Sequence, residues 1–358
     1  IDDDGNGYID DVYGWSFLGN PRGVNVYQDN LEATRIVGLF QDQFDGIDES
    51  EIRKKDLSNY LIYKRAAEEV ESSSKEAEEN FGFYGMLTEA IDKLKLELGK
   101  EEVTKEDLEN LNSNDPMLQS ISTMLINIFN QGMSFEKIEA ELEEAYEYFE
   151  NQVEFWYNPN FNSRSIVGDD INNKKEKIYG NSDFQGPDAQ HGTHVAGIIG
   201  AQRDNGLGLD GVANNVAIMS VRVVPDGDER DKDVANAIRY AVDNGAQVIN
   251  MSFGKGFSPY KRVVDKAIKY AIRKDVVLVH AAGNDGKENN FSNNYPNDKY
   301  EKKGLFGKAY ASSWIEIGAL APNSDDQLAA SFSNYSKEWV DVFAPGQEIY
   351  SCTPDNNY

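Results

Sequence analysis

From about residue 163 onward, short apolar runs alternate with helical patterns and glycine-rich turns, and no other feature constrains the fold as tightly. Residues 216–224 (VAIMSVRVV) read as a buried strand, Asp233 to Asn244 as a helix and residues 246–252 (AQVINMS) as the next strand. Tyr260 to Lys274 follows as a helix, and Val276 to Ala282 as a strand rich in β-branched residues. Ile315 to Leu320 and Val340 to Ala344 are two further short strands. Strand and helix in alternation imply an α/β fold with a mostly parallel sheet and helices on both faces. In such sheets functional groups gather at the carboxyl ends of strands.

The stretch from about 30 to 160 has a different texture. It carries about 30 acidic and 12 basic residues, roughly two thirds of the net negative charge. Its apolar residues recur at helical spacing: Leu87, Ile91, Leu94 and Leu98; Met117, Ile121, Met124 and Ile128; and Phe135, Ile138, Leu142, Tyr146, Phe149 and Val153. Pro116 after Asp115 suits a first helical turn, and Thr104 with Asp107 resembles a capping box. Gly82, Gly85, Gly99 and Gly132 punctuate the segment. We read an all-α insertion of several antiparallel helices, whose charge is either a solvated face or a partner surface. The expected division is therefore 1–29, an N-terminal part of the main domain; 30–160, the acidic insertion; and 161–358, the rest of the main domain.

Composition narrows the function. With 62 acidic against 35 basic side chains the formal net charge is −27, which repels phosphate backbones and anionic headgroups and argues against nucleic-acid or membrane-surface roles. An apolar fraction of 40% with 17 Phe, 19 Tyr and 4 Trp is enough for a core, which excludes wholesale disorder. No run of eighteen apolar residues is present to span a bilayer. Cys352, the single cysteine, has no internal disulfide partner and reads as a small buried residue.

Three segments carry chemistry. In residues 190–200 (QHGTHVAGIIG) His191 stands at the start of a small-residue helix, held as a general base would be or merely capping the helix. In residues 276–285 (VVLVHAAGND) a buried strand ends in small residues before Asn284. Its amide either projects as a donor towards a developing oxyanion or simply forms a turn after Gly283. In residues 250–254 (NMSFG) a strand ends with its backbone open to pairing with an extended peptide, or as any strand ends. The opening residues 2–11 (DDGNGYIDD preceded by Asp2) fit a calcium loop. Asp2, Asp4 and Asn6 alternate, Gly7 permits the turn, the Tyr8 carbonyl follows, and Asp10 or Asp11 replaces the glutamate missing at Tyr13.

Together, in this order and spacing, the three segments resemble the subtilisin-like serine proteases (subtilases). Residues 328–334 (LAASFSN) and 342–349 (VFAPGQEI) agree with the same family pattern. The resemblance covers about residues 181 to 358 and the N-terminal thirty, but not the helical insertion, and implies a secreted, cell-surface or periplasmic serine endopeptidase acting on protein or peptide substrates. It implies His191 as triad base and Asn284 as side-chain donor of the oxyanion hole. Ser252, Phe253 and Gly254 would line one wall of the substrate cleft, and Ala281, Ala282 and Gly283 the other. His194 and His280 are expected to pack rather than react. Subtilases often bind structural Ca2+, which agrees with metal ligands at Asp2, Asp4, Asn6, Tyr8 and Asp11.

The chain also departs from the family pattern. No serine stands in the family's Gly-x-Ser-x-x-x-Pro context, and no aspartate closes an apolar strand ahead of His191. Asp3-Asp4-Gly5, Asp169 and Asp170 are the weak candidates for the aspartate. We expect the aspartate strand to precede Ile1 and the serine to follow Tyr358, so that this chain supplies one triad member of three. The alternatives are a catalytically inactive subtilase fold kept for binding, or an insertion that is itself the functional module.

Overall fold

The computed structural model describes residues 2, 4–302, 307–322, 328–355 and 357–358. The chain forms two compact units, Ile1–Ala33 with Asn162–Tyr358, and Thr34–Phe161. These divisions fall four residues and one residue later than the boundaries after 29 and 160 that composition predicts.

The first unit is α/β, and the ladders between its strands are parallel among the described residues. Strand β1 (Gly14–Ser16) pairs with β2 (Ser220–Arg222). A second sheet runs in chain order through β3 (Val248–Met251), β4 (Val277–Ala281), β5 (Trp314–Leu320) and β6 (Val342–Pro345). The strand expected over 216–224 shrinks to three residues, with Val216 and Ile218 exposed. Helices α8 (Asp231–Asp243) and α9 (Lys261–Arg273) cross between strands. Val264, Ala267, Ile268 and Ala271 recur at helical spacing on α9 and are fully buried against Val234 and Ile238 of α8 and Met251 and Leu278 of the sheet. That stripe gives the parallel strands the apolar cover they require. The N-terminal segment adds a second core, in which Tyr8 meets Trp15 and Tyr240 edge-on at 5.0 and 4.8 Å.

Charged groups are also built into this unit. Arg164, in the short helix α6 (Arg164–Val167), donates to both carboxylate oxygens of Asp233 at 2.8 and 3.2 Å and to Asp169 at 2.7 Å. Lys232 reaches Asp169 at 2.6 Å and Glu176 at 2.7 Å. Lys255, one residue past Gly254, donates to Glu32 and to the Glu229 carbonyl, both at 2.6 Å. Fully buried charges of this kind persist only when paired and hydrogen-bonded.

The second unit is all-α: most of α1 (Glu32–Phe44), the 42-residue α2 (Leu57–Leu98), α3 (Lys105–Glu109), α4 (Pro116–Asn130) and α5 (Phe135–Asn151). Its ends follow local chemistry. Thr104 and Asp107 form the capping box, Asp115 caps α4 with Pro116 at its first position, and Gly99 ends α2 at φ +63°. Gly82 and Gly85 differ from expectation: both lie inside α2 rather than between helices. A glycine in a helix interior costs only about 1 kcal/mol, which packing readily offsets. The first two apolar stripes and the start of the third, Phe135, Ile138 and Leu142, meet in one core around Leu94, Leu118 and Leu125, whereas Tyr146 and Phe149 pair with Phe81 and Tyr84.

Glu229, fully buried beside Asp228, is pushed up to about 8, chiefly by burial and against the pull of Lys255. Its folded pKa lies above its unfolded one, so the folded state binds the extra proton and stability falls as pH rises from the carboxylate range through about 8. Urea unfolding at pH 5, 6.5 and 8 should show wild type losing stability relative to Glu229→Gln by up to about 1.4 kcal/mol per pH unit. Parallel pH profiles would refute this placement of the proton.

Candidate active site

The residues read as substrate walls meet at one sheet edge. The β3–β4 register places Asn250 beside Val279 and Met251 beside His280. Ser252–Gly254 and Ala281–Gly283 therefore leave the same carboxyl edge of neighbouring strands, where α/β folds place their ligands. The Ser252 hydroxyl accepts from Asn250 Nδ2 at 2.8 Å.

Beyond β4 the ladder stops, and the carbonyls it leaves are taken by asparagine amides. Ala282 O accepts from Asn289 Nδ2 at 2.6 Å, Asn334 Nδ2 at 3.0 Å and Asn294 Nδ2 at 3.1 Å. Asn294 also donates to Ala281 O at 3.1 Å and to Glu316 at 2.8 Å. Asn334 braces the turn from within: its Oδ1 accepts from the backbone N–H of Asp285 and Lys287 at 2.9 and 3.2 Å, and its own N–H donates to Gly283 O at 2.9 Å. Gly283 has φ +101°, and a Cβ there would lie 2.6 Å from Asn334 Nδ2, so glycine is required. At the crest of this turn Asn284 is exposed, and its side chain makes no hydrogen bond among the described residues. A donor held by a rigid turn and left uncommitted is suited to an incoming anion.

His191 lies in the first turn of α7 (Gln190–Gly200), exposed and without a hydrogen bond or ion pair among the described residues. The helix is fixed by its neighbours: His194 Nε2 donates to Ile349 O at 3.1 Å, and Ser351 Oγ donates to His194 O at 2.6 Å. A Cβ on Gly197 would meet Ser351 Oγ at 2.5 Å, which explains the small residue facing the 349–352 segment. Cys352, expected to be buried, is half-buried in that segment. His280 is a core residue: it pairs across the sheet with Glu316, its Nδ1 3.0 Å from both carboxylate oxygens.

Sequence reasoning missed Asn289, Asn294 and Asn334 as groups that shape this site. Asn334 closes the segment 328–334, but only its hydrogen bonds give it a task. Of the aspartates weighed as triad members, Asp169 is buried and committed to Arg164 and Lys232. Asp170 accepts from the Asn172 N–H at 2.9 Å, and Asp3 lies outside the described residues.

In the N-terminal loop Asp2 Oδ2 accepts from Gly7 N at 3.0 Å, Asp4 from Asn6 N at 3.0 Å, and Asn6 Oδ1 from Tyr8 N at 2.7 Å. The Asn6 amide nitrogen donates to Asp4 at 3.0 Å, Asp11 at 3.1 Å and Asn244 at 3.3 Å. Asp2 Oδ1 is buried without a hydrogen-bond partner. Among the described residues, no three His, Cys, Asp or Glu side chains are grouped to hold a metal ion.

These contacts separate the two site asparagines. Asn334→Ala should destabilise the protein by about 2 kcal/mol, because it leaves the partly buried N–H groups of Asp285 and Lys287 without their acceptor and removes one of the three donors to Ala282 O. Asn284→Ala should stay within about 0.5 kcal/mol of wild type. Chemical denaturation of both variants checks the contrast, and equal losses would contradict it.

Comparison with known proteins identifies the family. A family model described as "Subtilase family" matches residues 62–358. The thermophilic serine proteinase of Bacillus sp. (strain AK1) is 40% identical over 169 residues, covering 47% of this chain and 37% of that protein. Thermitase of Thermoactinomyces vulgaris is 37% identical, covering 51% of this chain and 60% of that one. The cell wall-associated protease of Bacillus subtilis (strain 168) is 42% identical, covering 48% and 17%. A solved cold-adapted subtilisin-like serine proteinase is 32% identical, covers 47% of this chain and 53% of its own, and superposes with a TM-score of 0.37. The matched region thus spans less than two thirds of each of these relatives. With the family match extending over most of its length, the chain belongs to the subtilase family.

Proposed function

We propose that the protein is a serine endopeptidase that cuts protein or peptide substrates through a Ser-His-Asp triad and an acyl-enzyme. His191 is the base that takes the serine proton and returns it to the leaving amine. The Asn284 amide holds the tetrahedral oxyanion. Ser252, Phe253 and Gly254 pair with the extended substrate on one side, and Ala281, Ala282 and Gly283 form the opposite wall. The observation that carries this reading is Asn284, exposed and uncommitted on a turn braced by Asn334 beside the open end of β3. Residues 30–160 are the insertion in this division, between an N-terminal part over 1–29 and the main part over 161–358.

Fluorophosphonate labelling of the intact protein, followed by peptide mapping, tests the mechanism. The expected result is an adduct on one serine that is lost in His191→Ala. Asn284→Ala should lower kcat by about 10²–10³, a magnitude known from subtilisin itself, with KM little changed. A folded protein that takes no label would favour the second reading, an inactive subtilase fold kept for binding.

We infer further that the N-terminal loop holds structural Ca2+, with Asp2, Asp4, Asn6, the Tyr8 carbonyl and Asp11 as ligands. Its support is the buried, unpartnered Asp2 Oδ1 beside an excess of carboxylates. Calcium at 100 times its Kd should then add about 2.7 kcal/mol of stability, read as a raised Tm that is lost in Asp2→Ala. No calcium-dependent shift would remove the ion from this loop. A secreted or cell-surface location completes the proposal, supported by the wall-associated relative; no helix among the described residues is long and apolar enough to cross a membrane.

A further inference from the structure

The helical unit changes character along its α2–α5 pair. Near Lys95 the two helices close over a full aliphatic core, with Ala90, Ile91 and Leu94 buried against Phe135 and Ile138. Carboxylates there meet cations, as in Lys95 with Glu139 and Lys93 with Asp115. At the other end the filling is aromatic and incomplete.

Phe83 meets Tyr84 at 5.4 Å, and Tyr84 stacks on Phe149 at 5.4 Å with the planes 15° apart. Phe149 meets Tyr148 at 5.2 Å, and Tyr148 meets Trp156 at 5.6 Å. Five rings thus run as a ladder from α2 across α5 to the segment Gln152–Trp156. That segment is a π-helical turn closed by Tyr157 N–H to Gln152 O at 2.9 Å, a rare backbone form that occurs frequently at functional sites. The ladder is not sealed: Phe83 is 48% exposed, Tyr148 49% and neighbouring Met86 57%.

The charge around the ladder is one-sided. Residues 76–92 and 138–161 hold twelve carboxylates and no lysine or arginine. Glu78, Glu143, Glu147 and Glu150 have no ion pair among the described residues. Open aromatic faces and unpaired carboxylates select the same ligand group, since a ring face attracts a cation through its quadrupole and a carboxylate through its charge. A phosphate backbone or an anionic bilayer is repelled, and so is a second copy of a chain carrying −27.

We propose that this surface is a docking site for a cationic polypeptide segment in which lysine or arginine alternates with apolar side chains. The apolar side chains cover Phe83, Met86 and Tyr148, while the cations lie over the rings and against Glu143 and Glu147. The site is independent of the residues assigned to peptide-bond hydrolysis and retains a function if that assignment fails.

The test is fluorescence anisotropy of a labelled 16-residue Lys/Leu/Trp peptide titrated with the 358-residue chain. Saturable binding at 50 mM salt is expected, weakened at least tenfold at 500 mM by about a threefold shorter screening length. A Glu/Leu/Trp peptide should not bind, and a Lys/Ser peptide should bind at least tenfold more weakly. Phe83→Ala with Tyr148→Ala, and separately Glu143→Lys with Glu147→Lys, should each weaken binding at least tenfold. Glu101→Lys with Glu102→Lys, at the aliphatic end, should change it less than twofold. Should the charge reversal melt the helix by circular dichroism, Glu143→Gln with Glu147→Gln replaces it, with at least a threefold loss expected. The proposal is overturned by an equal loss in the Glu101/Glu102 control, by binding of the acidic peptide, by absence of saturable binding, or by a dimer in sedimentation that Phe83→Ala with Tyr148→Ala abolishes.

Discussion

The end of the β4 ladder is the constraint around which the candidate site is organised. A parallel strand that stops inside a protein leaves carbonyls that must find donors, because an unpaired buried carbonyl costs as much as a lost hydrogen bond. Here Asn289, Asn294 and Asn334 converge on Ala281 and Ala282, and in doing so fix the turn that follows. Asn284 inherits that rigidity without spending its own amide. Preorganisation of this kind is what gives a donor its value in a transition state, since nothing need reorganise when charge develops.

Buried cations hold the surrounding frame. Arg164 and Lys232 bind the start of α8 to residues 169–176, and Lys255 joins the segment after β3 to Glu32 at the start of α1. Such pairs add little net stability compared with apolar packing, but removing one partner is expensive, so they fix geometry strongly. They also explain why Asp169 is not available for chemistry: its carboxylate is fully buried and committed to two buried cations.

The two units draw on different physics. In the helical unit local rules decide nearly everything, and the capping box at Thr104, the proline at 116 and the apolar stripes lie where the sequence puts them. The α/β unit depends on pairings between segments far apart, such as Gly14 with Ser220, which no local pattern announces. Its strand and helix order was nonetheless legible, because each buried strand needs a β-branched run and each crossing helix an apolar stripe. Strand lengths were not legible. The run at 216–224 has strand composition throughout, yet only three residues find a partner.

By itself, then, the sequence determined the α/β class, the all-α insertion, the motif order that places the chain among the subtilases, and the identity of His191 and Asn284 as candidates. Those properties reside in residue type and spacing along one dimension. Tertiary structure alone decided that Asn334, fifty residues past Asn284, braces its turn; that Asp169 is consumed by Arg164 and Lys232; that Gly82 and Gly85 stay inside a helix; and that the rings of α2 and α5 form an open ladder. Each of these depends on which donor reaches which acceptor, or which face stays wet, and those are facts of three-dimensional proximity that spacing along a chain does not contain.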